Sequence, residues 1–439
     1  MKIRVVLQVM DIKYFKTSNL FGRYNHTIRF TDGVNIIIGD NGVGKTVCLK
    51  ILNSIFNGDF GYLFNLEFDL ITVSFGREIW TISRIETSVK SEMFLFDDSS
   101  SLIKVEIKIE SNVNGEHIIV EDDVRIDLPS FFEKISDNEW YDRRRGVYID
   151  EKELVNRYKI RTETRGLPLW IRKRLRGMSV RMIDTQRIYR NENNGRRTEI
   201  GRTIAKYVKD ISNVISEEQN KAGVIASSLD RSFPSRLVSE LVTRGNVTTP
   251  KDTLDKLIEV DKMNKSLHSV GLTEYKKDSI LNGLPQIDST ILTVLSLYAD
   301  DMKKKLDAYS NIQAKLQLFL SIINSRFANK KCVLNRKGEF SFITEYTTDN
   351  ARKIKEIEPT LLSSGEQNEF VLFYDLLFNC DEKNLILIDE PELSLHIKWQ
   401  QMMISDLVTI CNHNRLNVLI ATHSPDLIGN HWSLVQKLE

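Results

Sequence analysis

A chain of 439 residues, 41% hydrophobic and 28% charged, is long enough for two or three domains, or for one large domain carrying an insertion. Its 61 Lys and Arg against 60 Asp and Glu exclude a disordered polyelectrolyte and a uniformly basic nucleic-acid binder. The sequence has no apolar run near the ~18 residues of a membrane span, no signal-peptide pattern at its N-terminus, and four scattered cysteines (Cys48, Cys332, Cys380, Cys411) without a CxxC pair. A cytoplasmic protein without disulfides or structural zinc is expected.

Along the chain, 2–9 (KIRVVLQV), 68–76 (FDLITVSFG), 78–84 (EIWTISR) and 102–110 (LIKVEIKIE) alternate with the period of half-buried strands, and 34–38 (VNIII) is a short apolar strand. Asn114-Gly115 predicts a hairpin turn. From Tyr141 to Arg202 there are 18 Lys and Arg against 8 Asp and Glu, a net of +10, which leaves −9 for the rest of the chain. Beyond residue 200 the pattern turns helical. Met302, Tyr309, Leu316 and Ile323 recur every seven residues, with Ile312 and Phe319 between them, predicting about four heptads packed on a partner helix. Pro250 and Asn282-Gly283 should break this region into pieces. The C-terminal part returns to β/α alternation, with helices expected at 364–378 and 394–411 and strands at 384–391 and 416–425. The continuous runs LILI and VLIA suit parallel strands buried on both faces.

Three motifs carry chemistry. Gly39-Asp40-Asn41-Gly42-Val43-Gly44-Lys45-Thr46 matches the phosphate loop G-x-x-x-x-G-K-[ST], and it lies between a strand and a predicted helix, as that motif requires. Gly39, Asn41, Gly42 and Gly44 would let backbone N–H groups close around phosphates, Lys45 would reach the β and γ phosphates, and Thr46 would bind Mg2+. ATP and Mg2+ are the expected ligands. Leu385–Glu390 is an apolar strand ending in two acids. Asp389 would hold Mg2+ and Glu390 would orient or deprotonate the attacking water; taken alone, the pair also reads as a solvated acidic turn. Ser363-Ser364-Gly365-Glu366-Gln367 precedes a helix, where Ser can cap and the exposed N–H groups can bind an anion, of the same chain or of another subunit.

The order of these motifs, phosphate loop, LSSGEQ, LILIDEP and ATHSP, resembles the ABC-type ATPase superfamily, closer to its SMC, repair and OLD-type branch than to transporters. The resemblance covers roughly 1–190 and 340–439. It implies an α/β head, with a mixed or antiparallel β lobe and a parallel-sheet core, split by a helical arm. The corresponding divisions are 1–190, 191–338 and 339–439. It also implies heads that dimerise, or assemble further, around ATP, with Ser363, Ser364, Gly365 and Gln367 acting in trans. His423 would sense the γ-phosphate beside the catalytic Glu390, and Gln186, after the strand-like 180–183, is the Q-loop candidate. One departure is His396, where the transporters and SMC proteins usually carry an aspartate. The loop Pro391-Glu392-Leu393-Ser394-Leu395-His396 is similar instead to OLD-type and bacterial defence ATPases.

With a short arm and no recognisable nuclease cluster, the chain looks like the ATPase subunits of two-gene anti-phage systems, PtuA of Septu first and AriA of PARIS next. The partner implied is a separate nuclease, HNH-type for Septu, and the chain is expected to leave no room for one of its own. The alternative is a repair or recombination ATPase that clamps DNA; a transporter subunit is a third, weaker reading. The Arg-rich 141–202 stretch can follow a phosphate backbone, with Trp140, Tyr141, Trp170 and Tyr189 stacking on bases, or can serve as a protein-docking face. Tyr14 or Phe15 can stack on adenine or belong to the core.

Overall fold

The computed structural model describes residues 12–90, 101–120, 132–136, 139–143, 147–150, 167–184, 199–242, 249–273, 288–335, 337–348, 351–380 and 384–438. The strand expected at 2–9, Asn282-Gly283, Gln186 and Tyr189 lie outside these residues. The chain divides into two compact units, residues 1–186 with 380–439, and residues 187–379.

The first unit opens with β1 (Tyr14–Leu20), β2 (Tyr24–Arg29) and β3 (Val34–Ile38), then α1 (Lys45–Asn57) and a short α2 (Gly61–Phe64). The alternating segments follow as β4 (Leu70–Phe75), β5 (Glu78–Lys90), β6 (Ser101–Ser111) and β7 (Gly115–Val120), with the predicted hairpin closing β6 on β7. Gly115 takes the positive φ, 100°, that the turn needs. Next come β8 (Phe132–Ser136), β9 (Glu139–Asp142), β10 (Val147–Asp150), α3 (Leu169–Gly177) and β11 (Ser179–Asp184).

The second unit holds α4 (Glu199–Val242), α5 (Pro250–Ser269), α6 (Ser289–Asp307), α7 (Ser310–Arg326), strands β12 (Lys331–Leu334), β13 (Phe340–Thr348) and β14 (Ala351–Ile357), and α8 (Ser364–Phe378). The chain returns to the first unit with β15 (Asn384–Asp389), α9 (Ile397–Asn414), β16 (Asn417–Thr422), a short α10 (Pro425–Ile428) and β17 (Val435–Lys437).

Two sheets dominate the first unit. One is antiparallel, in the order β2-β1-β4-β5-β6-β7; the other is parallel, in the order β11-β15-β16-β3-β17. The helix α1 lies in the core between them. Its Cys48, Leu49, Ile51, Leu52, Ile55 and Phe56 share one buried cluster with Phe15, Ile71, Val73, Trp80 and Ile109 of the antiparallel sheet and Ile37, Leu385, Leu387 and Leu419 of the parallel one. At roughly 1.5–3 kcal/mol per buried large apolar side chain, this packing fixes α1 far more firmly than helix propensity can. The alternate residues Ile36, Ile386, Ile388, Val418 and Ile420 are buried too. Strands buried on both faces therefore read as unbroken apolar runs.

Several expectations are corrected. The heptad run is not one helix: Tyr309 donates its N–H to the Leu306 carbonyl, a tight turn that separates α6 from α7. Ile312, Leu316, Phe319 and Ile323 of α7 are buried, and Phe319 packs on Phe370 and Tyr374 of the helix α8 and on Phe340 of β13, so α7 has the expected partner helix, while Met302 and Tyr309 are half-buried. Trp170 is half-buried and packs edge-on against Trp80, with centroids 5.4 Å apart. Phe15 is wholly core. All four cysteines are free and buried, and burial pushes the Cys48 and Cys411 thiols up to about 12, leaving them protonated and inert. Among the described residues no helix is long and apolar enough to cross a membrane.

In the second unit, Arg326 of α7 and Glu369 of α8 form an ion pair at 2.8 Å with both side chains at 0% exposure, and the guanidinium lies over the Phe373 ring at 4.9 Å. Removing one partner of such a pair leaves an uncompensated buried charge, at a cost of about 3–5 kcal/mol. Arg326→Met should therefore lower the thermal midpoint of this unit sharply, and the double variant Arg326→Met/Glu369→Leu should recover most of the loss; calorimetry of the three proteins checks this.

Candidate nucleotide-binding site

The parallel sheet places β15, β16 and β3 side by side, with Asp389 in register with Ala421 and Thr422 with Ile38. The carboxyl ends of these three strands deliver the phosphate loop, the Asp389-Glu390 pair and His423 to one edge, where parallel sheets bind ligands. The loop leaves β3 and enters α1 at Lys45, with Gly44 as the residue before the helix at φ 95°, ψ 15°. A Cβ at Gly44 would be strained at that φ and would press on Leu20 at 3.3 Å. At Gly39 a Cβ would meet the Leu438 carbonyl and Val43 Cγ2, each at 3.0 Å. The helix N-terminus so exposed favours an anion.

Lys45 is only 5% exposed, and its Nζ donates to the carbonyls of Gly39 at 2.7 Å and Asp40 at 3.0 Å. Both acceptors are neutral, so the ammonium charge is left to be balanced by a phosphate. The Thr46 hydroxyl donates to Asp389 Oδ1 at 3.1 Å, and Asp389 is 7% exposed. A hydroxyl and a carboxylate meeting beside a phosphate loop suit Mg2+, which takes oxygen ligands and keeps several waters. The residues present fit Mg2+ and a nucleoside triphosphate.

Glu390 adopts left-handed backbone geometry, φ 44°, ψ 57°, immediately before Pro391. For a non-glycine residue this costs of order 1–3 kcal/mol and persists only where the surroundings impose it. Its N–H is held by the Ala421 carbonyl at 2.8 Å. Its Oε1 lies 3.8 Å from His423 Nδ1.

The signature residues belong to the second unit. Ser363 caps α8 in a reciprocal box: its hydroxyl accepts from the Glu366 N–H at 3.3 Å, and Glu366 Oε2 accepts from the Ser363 N–H at 2.8 Å. Lys330 pairs with Glu366 at 2.8 Å. Ser363 and Ser364 are exposed and Gly365 is half-buried. Gln367 turns inward and donates its amide to the carbonyls of Leu362, at 2.9 Å, and Thr360, at 3.2 Å, bracing the loop. His396 is exposed and caps α9, accepting from the Lys398 N–H at 3.3 Å. In the Arg-rich stretch, Arg174 is paired with Glu78 and lies over Phe75, while Arg172, Lys173 and Arg176 are exposed.

Two site residues went unread in the sequence. Glu392 is one, and His26 is the other. On β2, residues 24–29 alternate so that His26 and Ile28 face inward. The His26 Nε2 lies 2.6 Å from the Val43 carbonyl of the phosphate loop, and since a carbonyl only accepts, Nε2 carries the proton. The strand alternation gives the inward direction, but nothing local says that the loop passes above it.

The arrangement is that of a P-loop ATPase: a phosphate loop after one strand and a buried carboxylate ending another in the same parallel sheet. A family model described as AAA ATPase domain matches residues 10–428, and the chain belongs to that family. Two solved structures align with most of it. One is the Smc head domain with an extended coiled coil bound to the C-terminal domain of ScpA, from Pyrococcus furiosus, at 12% identity, covering 95% of this chain and 90% of that one, with a TM-score of 0.32. The other is an SmcHead bound to the C-winged helix domain of ScpA, at 10% identity, 95% and 91% coverage and a TM-score of 0.34. No curated protein matches the chain.

Desolvation by burial lowers the His26 pKa, partly opposed by its bond to Val43. The folded protein thus resists protonating a ring that the unfolded chain protonates near ~6.5, so stability falls as the pH drops through that value. Melting temperature measured against pH should decline more steeply below pH ~6.5 for the wild type than for His26→Gln, which still donates to Val43 but does not titrate.

Proposed function

We propose that this ATPase is the regulatory and sensor subunit of an anti-phage defence complex, a homodimer or higher oligomer that governs a separate nuclease through its nucleotide state. The observation that carries the reading is the convergence of Lys45, Thr46, Asp389, Glu390 and His423 at one sheet edge, followed by the EPELSLH loop typical of defence ATPases. Mg2+, when bound, would offset the phosphate charge. Lys45 exchanges its two loop carbonyls for phosphate oxygens. Thr46 and Asp389 would hold the cation. Glu390 takes a proton from the attacking water, and His423 positions the transferred group. Ser363, Ser364 and Gly365, at the N-terminus of α8, contact the triphosphate bound by a second copy, while Gln367 shapes their loop from beneath. Gln186 is assigned the Q-loop role on sequence order alone.

For a switch, binding matters more than turnover: a nucleotide that prefers one assembly shifts the population toward it, and hydrolysis returns it. The DNA-clamping reading is favoured by one observation, the exposed Arg172, Lys173 and Arg176 on α3.

Lys45→Ala should abolish ATP binding in isothermal titration. Glu390→Gln should keep binding, lose hydrolysis, and accumulate the ATP-bound oligomer in light scattering. Wild-type hydrolysis by both variants sinks the catalytic assignment. Recovering a nuclease with the native protein supports the defence role; ATP- and salt-dependent DNA binding by the chain alone supports the clamp instead.

A further inference from the structure

Beneath the phosphate loop, β2 carries an imidazole for which the hydrolytic scheme has no use. His26 is only 2% exposed, and its Nε2 makes a 2.6 Å hydrogen bond with the Val43 carbonyl, in which the ring must be the donor. The surroundings set this tautomer. Nδ1 is buried without a hydrogen-bond partner among the described residues, so the other tautomer would bury an N–H with no acceptor and turn the Nε2 lone pair on the carbonyl oxygen. The two N-terminal strands hold the ring where it is. His26 lies opposite Thr17 of β1 and donates its backbone N–H to the Thr17 hydroxyl at 3.4 Å, and its ring stacks on Tyr24 with centroids 5.7 Å apart.

What this bond does for the loop follows from the planarity of the peptide. The Val43 carbonyl and the Gly44 N–H belong to one trans unit, so they point in opposite directions. A carbonyl fixed on His26 turns the Gly44 N–H away from β2. The ring abuts both halves of this unit, because a Cβ on Gly44 would lie 3.6 Å from His26 Nε2. Gly44 has no side chain to limit its own backbone, and a glycine peptide reorients readily unless a neighbour holds it. The loop carbonyls of Gly39 and Asp40 are held differently, by Lys45. That hold ends when Lys45 turns to phosphate oxygens, whereas the bond from His26 has no reason to break.

We propose that His26 is a positioning residue for nucleotide binding: by holding the Val43 carbonyl it presets the Gly44 N–H to receive a phosphate oxygen. This rests on the reading of residues 39–46 as the phosphate site. Without the donor, the Val43–Gly44 peptide turns to find another partner, and an incoming nucleotide has to set it again. The cost falls on nucleotide affinity, not on the acids that end β15.

The test combines a readout that needs no nucleotide with a binding measurement. Long-range proton–nitrogen spectra of protein labelled with 15N-histidine, recorded at about pH 8, above the ordinary imidazole range, report the tautomer of each ring. The His26 signals are those lost in His26→Gln. The wild type should show a protonated Nε2 and a bare Nδ1. In isothermal titration with ADP, which does not turn over, His26→Leu should raise the Kd about tenfold. His26→Gln, whose amide still donates to Val43, should recover most of that affinity. An Nδ1–H tautomer in the wild type overturns the proposal, and does so even if His26→Leu fails to fold. A folded His26→Leu with the wild-type Kd also overturns it, as does a His26→Gln protein that binds as weakly as His26→Leu, since the ring's shape and not its donor would then matter. Wild-type affinity in Lys45→Ala would overturn the reading of the phosphate site instead, leaving the tautomer result to stand separately.

Discussion

The pairing of β3 with β16 is the contact on which the rest depends. It runs from Val34 opposite Val418 to Ile38 opposite Thr422, joining segments almost a whole chain apart. Parallel neighbours in one sheet must be joined by a crossover, and here the crossover contains α1, strands β4 to β7 of the antiparallel sheet and the second unit. Only when this ladder has formed do the glycine loop, the acids after β15 and the histidine after β16 share an edge. Closing so long a loop carries an entropic cost that local contacts do not repay in advance. The ATP-site chemistry is in this sense a property of the completed sheet, not of any segment.

Much of that sheet could be read from residue order because its signals are local and redundant. LILI and VLIA are strands buried on both faces, and the phosphate loop has a strand before it and a helix after. The N-cap at Ser363 follows from a serine three residues ahead of Glu366, and the observed α8 begins and ends where the pattern predicted. What escaped has a common physical character. Glu392 and His26 act through space on segments distant in the chain, one beneath His423 and the other beneath Val43. No period or spacing records such a contact. The heptads of 302–323 announced a helix with a partner helix, which α7 has in α8, but not the break at Tyr309 that divides the run in two. The edge-on contact of Trp170 with Trp80, distant in the chain, is likewise invisible to composition.

The acids after β15 illustrate how strain and burial divide labour. Glu390 is placed by a left-handed turn that its own side chain does nothing to favour, and the Ala421 carbonyl and Pro391 hold it there. Two residues on, Glu392 is placed by burial and spends one oxygen on two neighbouring donors, the Thr422 hydroxyl and the His423 N–H. A strained, partly open carboxylate suits a reacting group, and a sunken one suits a scaffold. Two glutamates in a single short loop thereby acquire different chemistry, one from backbone geometry and the other from burial.

The last strand adds a mechanical dimension. The β17 segment lies against β3, the Leu438 N–H bonds to the Ile38 carbonyl at 2.8 Å, and the Leu438 carbonyl sits where a side chain on Gly39 would have to go. The Gln436 amide also clasps the backbone of Arg29, linking this strand to β2 and so to the element that carries His26. A load applied to β17 is therefore felt at the first glycine of the phosphate loop and, through Arg29, on the far side of that loop as well. A body that grips this strand holds the nucleotide cradle by two handles at once.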